Sequence, residues 1–217
     1  MTVAATYTLV PYGAKAVLVR LRANISTAGL SQETITQAAR LAKALRSVRD
    51  VEDAVGAYDE VLVVARAPAD LPALLRHVDR LASTYAAQVP SGHQEEVGLH
   101  VLPVHYDGPD LADVASRSRI SVPEVIRLHA SSTYTARAVG FQPGFAYLGP
   151  LPPALHLPRR ASPRARVAAG SVAIATDQTA VYPHESPGGW HLLGRVEGHL
   201  PHIATGDRVR FEPIVEL

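Results

Sequence analysis

From Thr133 onward the apolar runs are short, and glycine and proline punctuate them: Tyr134–Val139, Val167–Ala175, Val181–Tyr182, Trp190–Val196 and Asp207–Pro213. Proline removes a backbone donor and fixes φ, while glycine weakens a helix interior. Short strands with frequent turn signals predict a β-barrel or sandwich. Two short helices precede it, Asp110 to Arg117 and Ser121 to Ser131. The second opens with a capping box, Ser121 followed three positions later by Glu124.

The first half has a different period. Ala16 to Arg22 reads as a strand, and Ser31 can cap a helix reaching about Arg46, with Ile35, Ala38, Ala42 and Leu45 on one face. Val51 to Tyr58 and Glu60 to Arg66 are two strands around a tight Tyr58-Asp59 turn. Asp70 caps a second helix with Leu71, Leu74, Leu75, Val78, Leu81 and Tyr85 on its apolar side. Val97 to Val104 is a last strand, and an extra strand lies near Thr6 to Val10. The order β-α-β-β-α-β predicts a ferredoxin-like α/β sandwich. The polar stretch from Ala87 to Glu96, which carries Pro90, Ser91 and Gly92, marks the boundary. The expected domains are residues 1–92 and 93–217, and the fold class is α+β.

Composition excludes several classes. The net charge is +1, so no global field attracts nucleic acid or an anionic membrane surface. There are no cysteines, which removes disulfides, thiolate metal sites and a Cys nucleophile. The first twelve residues lack the pattern of a signal peptide, and no apolar stretch approaches the length of a membrane span. These features predict a cytoplasmic protein.

Two segments are candidates for a site. Gly140-Phe141-Gln142-Pro143-Gly144-Phe145-Ala146-Tyr147-Leu148-Gly149 and Tyr182-Pro183-His184-Glu185-Ser186-Pro187-Gly188-Gly189-Trp190 combine close backbone approach with flat rings. From Val125 to Thr176 there is no acid, and six arginines fall in that window: Arg127, Arg137, Arg159, Arg160, Arg164 and Arg166, the last four between the two segments. Guanidinium forks suit carboxylate or phosphate. The alternative is that acids from outside the window, or a partner, neutralise them. Among the histidines, His129, His184 and His191 fall near the glycine segments and are natural proton carriers. His184 and Glu185 form an acid/base couple only if the backbone bends between them. His199 and His202, separated by a proline with no nearby carboxylate, do not make a metal site. Phosphate-loop, nucleophile-elbow and zinc-helix motifs are absent.

The chain resembles the KipI / allophanate hydrolase subunit 1 family of carboxyltransferase subdomains. The residues that carry the likeness are Tyr106-Asp107-Gly108-Pro109-Asp110-Leu111, His129 with Thr133-Tyr134, the Gly140–Gly149 segment, Pro158-Arg159-Arg160-Ala161, Pro163-Arg164, Ala169-Gly170-Ser171-Val172, Gln178-Thr179, Tyr182-Pro183 and Glu185 to Trp190. The family implies a ferredoxin-like first domain and a cyclophilin-like β-barrel second domain. It implies the B component of an ATP-dependent 5-oxoprolinase complex, which cleaves 5-oxo-L-proline to L-glutamate. Two other readings stand beside it: a carboxyltransferase half-module of a urea carboxylase or allophanate-type system, and a KipI-like histidine kinase inhibitor. The implied partners are a C component of the KipA type, allophanate hydrolase subunit 2-like, and an A component of the LamB/YcsF type. ATP enters at the level of the complex, and the isolated chain is expected to be inactive. On this reading His129, Arg164, Arg166 and Glu185 are the expected catalytic residues. Phe141, Pro143, Gly144, Phe145, Tyr147, Arg159, Arg160, Gln178, Tyr182, Ser186, Gly188, Gly189 and Trp190 are expected to bind substrate. The chain departs from the family pattern at Ala168, Thr176, Ala180 and His191.

Overall fold

The computed structural model describes residues 7–21, 25–26, 29–67, 70–87 and 98–214. The chain divides into two compact units, Met1–Glu96 and Val97–Leu217. The polar boundary segment, apart from Ala87, lies outside the described residues.

The first unit contains β1 (Tyr7–Tyr12), β2 (Ala16–Leu21), the short pair β3 (Ile25–Ser26) and β4 (Gly29–Leu30), α1 (Gln32–Arg46), β5 (Val51–Ala57), β6 (Glu60–Ala65) and α2 (Leu71–Ala87). Ser31 caps α1, its Oγ accepting the Thr34 amide at 3.2 Å, and Asp70 accepts the Ala73 amide at 3.0 Å. These bonds satisfy amides that have no partner inside the helix. The buried stripe Ile35, Ala38, Leu41, Ala42 and Leu45 faces inward. Most of it clusters with Val17, Val19, Val61, Val63, Leu74 and Val78 to form this unit's core.

The sheet order is β1-β2-β6-β5, with every neighbouring pair antiparallel. This differs from the expectation that the strand after the boundary completes this sheet. The edge beside β2 is held by β1, which a short turn through Gly13 (φ 65°) folds directly back. A short hairpin closes with little loss of chain entropy, so the local strand takes the edge ahead of a distant one.

The expected last strand, β7 (Leu99–His105), belongs to the second unit. After it come α3 (Leu111–Ser118), α4 (Val122–Ala130), β8 (Thr133–Val139), β9 (Ala146–Gly149), a 3-10 turn (Pro153–Leu155), β10 (Arg164–Val167), β11 (Ser171–Ala175), β12 (Gln178–Val181), β13 (Ser186–Gly188), β14 (His191–Val196) and β15 (Arg208–Pro213). Seven of these strands close into a barrel in the order β11-β12-β9-β8-β15-β7-β14, and β10 pairs with β13 in a separate ribbon. Within the barrel β7 and β15 run parallel, and the other pairs run antiparallel.

Successive strand residues face opposite sides, so each barrel wall supplies two apolar layers. Val172 and Ile174 of β11 join Tyr134, Leu148, Leu193, Val209 and Phe211 in the interior, with Val114 of α3 and Val125 of α4 packed into the same cluster. Ala173, Ala175 and Ala180 face the other way, and Phe145, Tyr182, Trp190 and Leu192 pack over them. Small side chains on the outer wall leave room for the rings above. The molecule is thus a mixed α/β protein whose second unit is a closed barrel with an aromatic layer on its outside.

Candidate functional site

The aromatic layer brings the two glycine-rich segments together. Phe145 meets Trp190, Tyr182 and Tyr147 edge to face, with ring centroids 5.8, 5.3 and 5.0 Å apart. Phe145, Tyr182 and Trp190 are buried, whereas Tyr147 is half-buried and Phe141 stands 65% exposed at the rim. Phe141 also has φ 71°, a left-handed conformation that costs a bulky residue energy. Pro143 and Gly144 are exposed beside it. Gly188 has no room for a Cβ, which would collide with the Tyr182 hydroxyl. Ser186 and Gly188 of the ribbon, and Gly189 just beyond it, are half-buried.

The arginine segment runs along this layer. The Arg160 amide donates to the Gly189 carbonyl at 2.8 Å, and Arg164 pairs in register with Gly188. The Arg159 guanidinium lies over the Trp190 ring, 6.0 Å from its centroid. Arg160 Nη1 and Arg164 Nη2 both donate to Asp110 Oδ1, at 2.8 and 2.7 Å. The Leu192 amide donates to Asp110 Oδ2 at 2.8 Å. Asp110 precedes α3 but makes no side-chain cap bond; its carboxylate serves the arginines instead. Burial alone raises the Asp110 pKa, but the Arg164 and Leu192 hydrogen bonds and the two arginine charges outweigh it and hold the carboxyl below its ordinary value. Gly108 fixes this acid in place. Its amide donates to the Leu193 carbonyl at 3.0 Å, and a Cβ there would strike the β14 backbone at Leu192 and Leu193.

Arg166 and Glu185, both expected in catalysis, pair with each other at 2.7 Å in an exposed position. Gln178 opens β12 and shares a face with Ala180 and, just past the strand, Tyr182. It is half-buried and pairs in register with Ala175, which lies under the aromatic layer. Thr176, where the family pattern has glycine, adopts the left-handed φ of 54° itself.

His129 requires a correction. Expected to hold a proton or polarise a carbonyl, it is fully enclosed in the barrel interior, stacked on Phe211 with centroids 4.6 Å apart. Thr179 Oγ1 donates to the Ala173 carbonyl at 3.0 Å, so it accepts from His129 Nε2 at 2.8 Å. Nδ1 then accepts from the Tyr106 hydroxyl at 2.7 Å. Both ring nitrogens are engaged, and burial pushes the pKa down to about 3. A catalytic acid or base must reach the proton it moves; His129 offers a ligand no free atom. His191, also fully buried, donates through Nε2 to the Pro158 carbonyl at 2.9 Å and ties the arginine segment to β14.

Sequence reasoning missed Asp110 as a site residue. The available signal was the acid-free arginine window itself, which obliges a neutralising acid to come from outside it.

The arrangement is an aromatic surface bordered by guanidinium groups on the outside of a closed barrel, and guanidinium forks suit an anionic group. Among the described residues no three His, Asp or Glu side chains group in a way that could hold a metal ion. Nor is any described helix long and apolar enough to cross a membrane.

Residues 7–201 match the family described as carboxyltransferase domain, subdomain C and D, and the chain belongs to that family. It is 40% identical over 185 residues to the 5-oxoprolinase B subunit of Escherichia coli O157:H7, covering 80% of this chain and 83% of that protein. Among solved structures, TTHA0988 superimposes with a TM-score of 0.75 at 36% identity; the match covers 94% of this chain, which spans 40% of that longer one. The urea carboxylase of Kluyveromyces lactis, at 16% identity and a TM-score of 0.66, shares the fold over 96% of this chain and 22% of its own.

Proposed function

We propose that this chain is the B component of an ATP-dependent 5-oxoprolinase complex, contributing one wall of the site where 5-oxo-L-proline is opened to L-glutamate. The observation that carries this reading is the aromatic-arginine surface in a chain 40% identical to a protein named as a 5-oxoprolinase B subunit. The urea carboxylase likeness, at 16% identity, extends to the fold and supports no shared reaction.

A lactam nitrogen is a poor leaving group. Transfer of the γ-phosphoryl group of ATP to the lactam oxygen, with ADP leaving, weakens the C–N bond. Water then adds at that carbon, the ring nitrogen departs with a proton as the amine, and a second water hydrolyses the acyl phosphate to carboxylate and phosphate. Such a sequence needs cations for the phosphoryl charge and a grip on the substrate carboxylate. Arg159, Arg160, Arg164 and Arg166 fit these needs. Phe141, Tyr147, Gly188 and Gly189 fit the surface on which the flat ring lies.

In this reading the chain works in the cytoplasm with a KipA-type C component and a LamB/YcsF-like A component. Its first unit is a ferredoxin-like sandwich and its barrel is cyclophilin-like. The partly exposed guanidinium groups favour inactivity alone, because charge stabilisation strengthens when a partner excludes water. ATP hydrolysis dependent on 5-oxoproline should be absent for this chain and present when both partners are added. A complete three-component complex that hydrolyses no ATP with 5-oxoproline contradicts the reading.

A further inference from the structure

Asp110 serves two arginines with one carboxylate. Its side chain is buried, and its two oxygens take Arg160 Nη1, Arg164 Nη2 and the Leu192 amide. The Asp110 carboxylate therefore does not neutralise both guanidinium groups, and Arg159 over Trp190 adds a further positive charge beside them. Nearby acids do not remove it: Glu185 is paired with Arg166, and Asp113 lies 3.8 Å from Arg117 and 3.9 Å from the His191 Nδ1. Moreover, Arg160 Nε and Arg164 Nη1 are buried nitrogens without a hydrogen-bond partner. The two side chains as a whole stay 31% and 24% exposed, so the remaining donors of both forks are open to an anion. The surplus suits an anion, and two guanidinium forks held side by side match the paired oxygens of one carboxylate.

We propose that Asp110 is a positioning residue, which holds Arg160 and Arg164 side by side as a clamp for one singly charged substrate carboxylate. Gly108 and the Leu192 amide fix the acid, and the acid fixes both forks before the ligand arrives. This inference rests on the reading of the site given above, and it assigns the clamp to the carboxylate of the substrate rather than to ATP.

The test is steady-state kinetics of the complete complex, comparing wild type with Arg164→Gln and Asp110→Asn. Arg164→Gln should raise the KM for 5-oxoproline about tenfold or more, the loss expected for one charge-assisted hydrogen bond pair, and leave the KM for ATP within about twofold. Its thermal midpoint should not fall, because one arginine and one aspartate then remain as an ordinary pair. Asp110→Asn should give the same selective rise in KM. An unchanged KM for 5-oxoproline overturns the proposal, as does a rise confined to the KM for ATP. So does a lowered midpoint for Arg164→Gln with unchanged kinetics. If the wild-type complex does not turn over 5-oxoproline, the functional reading has failed and the clamp is judged separately. Acetate added to the full chain should then shift the Nε–H NMR signals of Arg160 and Arg164 while chloride does not, and Asp110→Asn should abolish the shift. Signals unmoved by acetate in the wild type overturn the clamp as well.

Discussion

Phe145 and Trp190 meet edge to face at 5.8 Å, joining the two glycine-rich segments over the outer barrel wall. Each is almost fully buried, so the contact is a structural element first and a site wall second. Phe145→Ala should therefore cost about 3–5 kcal/mol, as deletion of a buried aromatic ring usually does. Urea denaturation followed by tryptophan fluorescence checks this; a loss below about 1 kcal/mol would show that the layer does not pack as described.

Gly188 faces the buried Tyr182 hydroxyl, leaving no space for a methyl group. Gly188→Ala should destabilise the protein by about 1–3 kcal/mol, as overpacking does in rigid surroundings. The thermal midpoint of the variant reads this directly.

His129 links pH to stability. Its pKa falls from 6.5 in the unfolded chain to about 3 in the folded one, so the unfolded state binds more protons between those values. Stability from this group is full above about pH 6.5 and declines as pH falls toward about 3, by up to about 1.4 kcal/mol per pH unit. Chemical denaturation across a pH series from neutral down to acid should show that slope, and His129→Gln should flatten it. An equal slope in the variant would place the titration elsewhere.

The Arg166–Glu185 pair is exposed on both sides, and such pairs contribute little to stability. Arg166→Ala should leave the thermal midpoint unchanged. Any loss of turnover in the complex is then a direct effect on chemistry or binding.

Much of the local structure could be read from the residues. Ser31 and the spacing of Ile35, Ala38, Ala42 and Leu45 define α1, because capping and helical period act within a few residues. Strand partnership was less legible. The alternation in β7 shows that one face is buried but not which sheet buries it, and the hairpin of β1 with β2 decided the competition for the edge. At the site, the ring-rich segments and arginines were visible, but their counter-ion was not. Asp110 resembles a helix cap, and its true partners, Arg160 and Arg164, are distant in sequence. His129 misled for a related reason: one histidine on a short helix carries no mark of the Tyr106, Thr179 and Phe211 groups that enclose it. Thr176 shows that a missing glycine need not change a turn, since the threonine takes the left-handed conformation itself.

The most direct test of the account is L-glutamate release from 5-oxoproline and ATP by the KipA-type and LamB/YcsF-type partners, measured with and without this chain. Release, accompanied by ADP, should occur only when the chain is present. Equal release without it, or none with all three components together, would contradict the assignment.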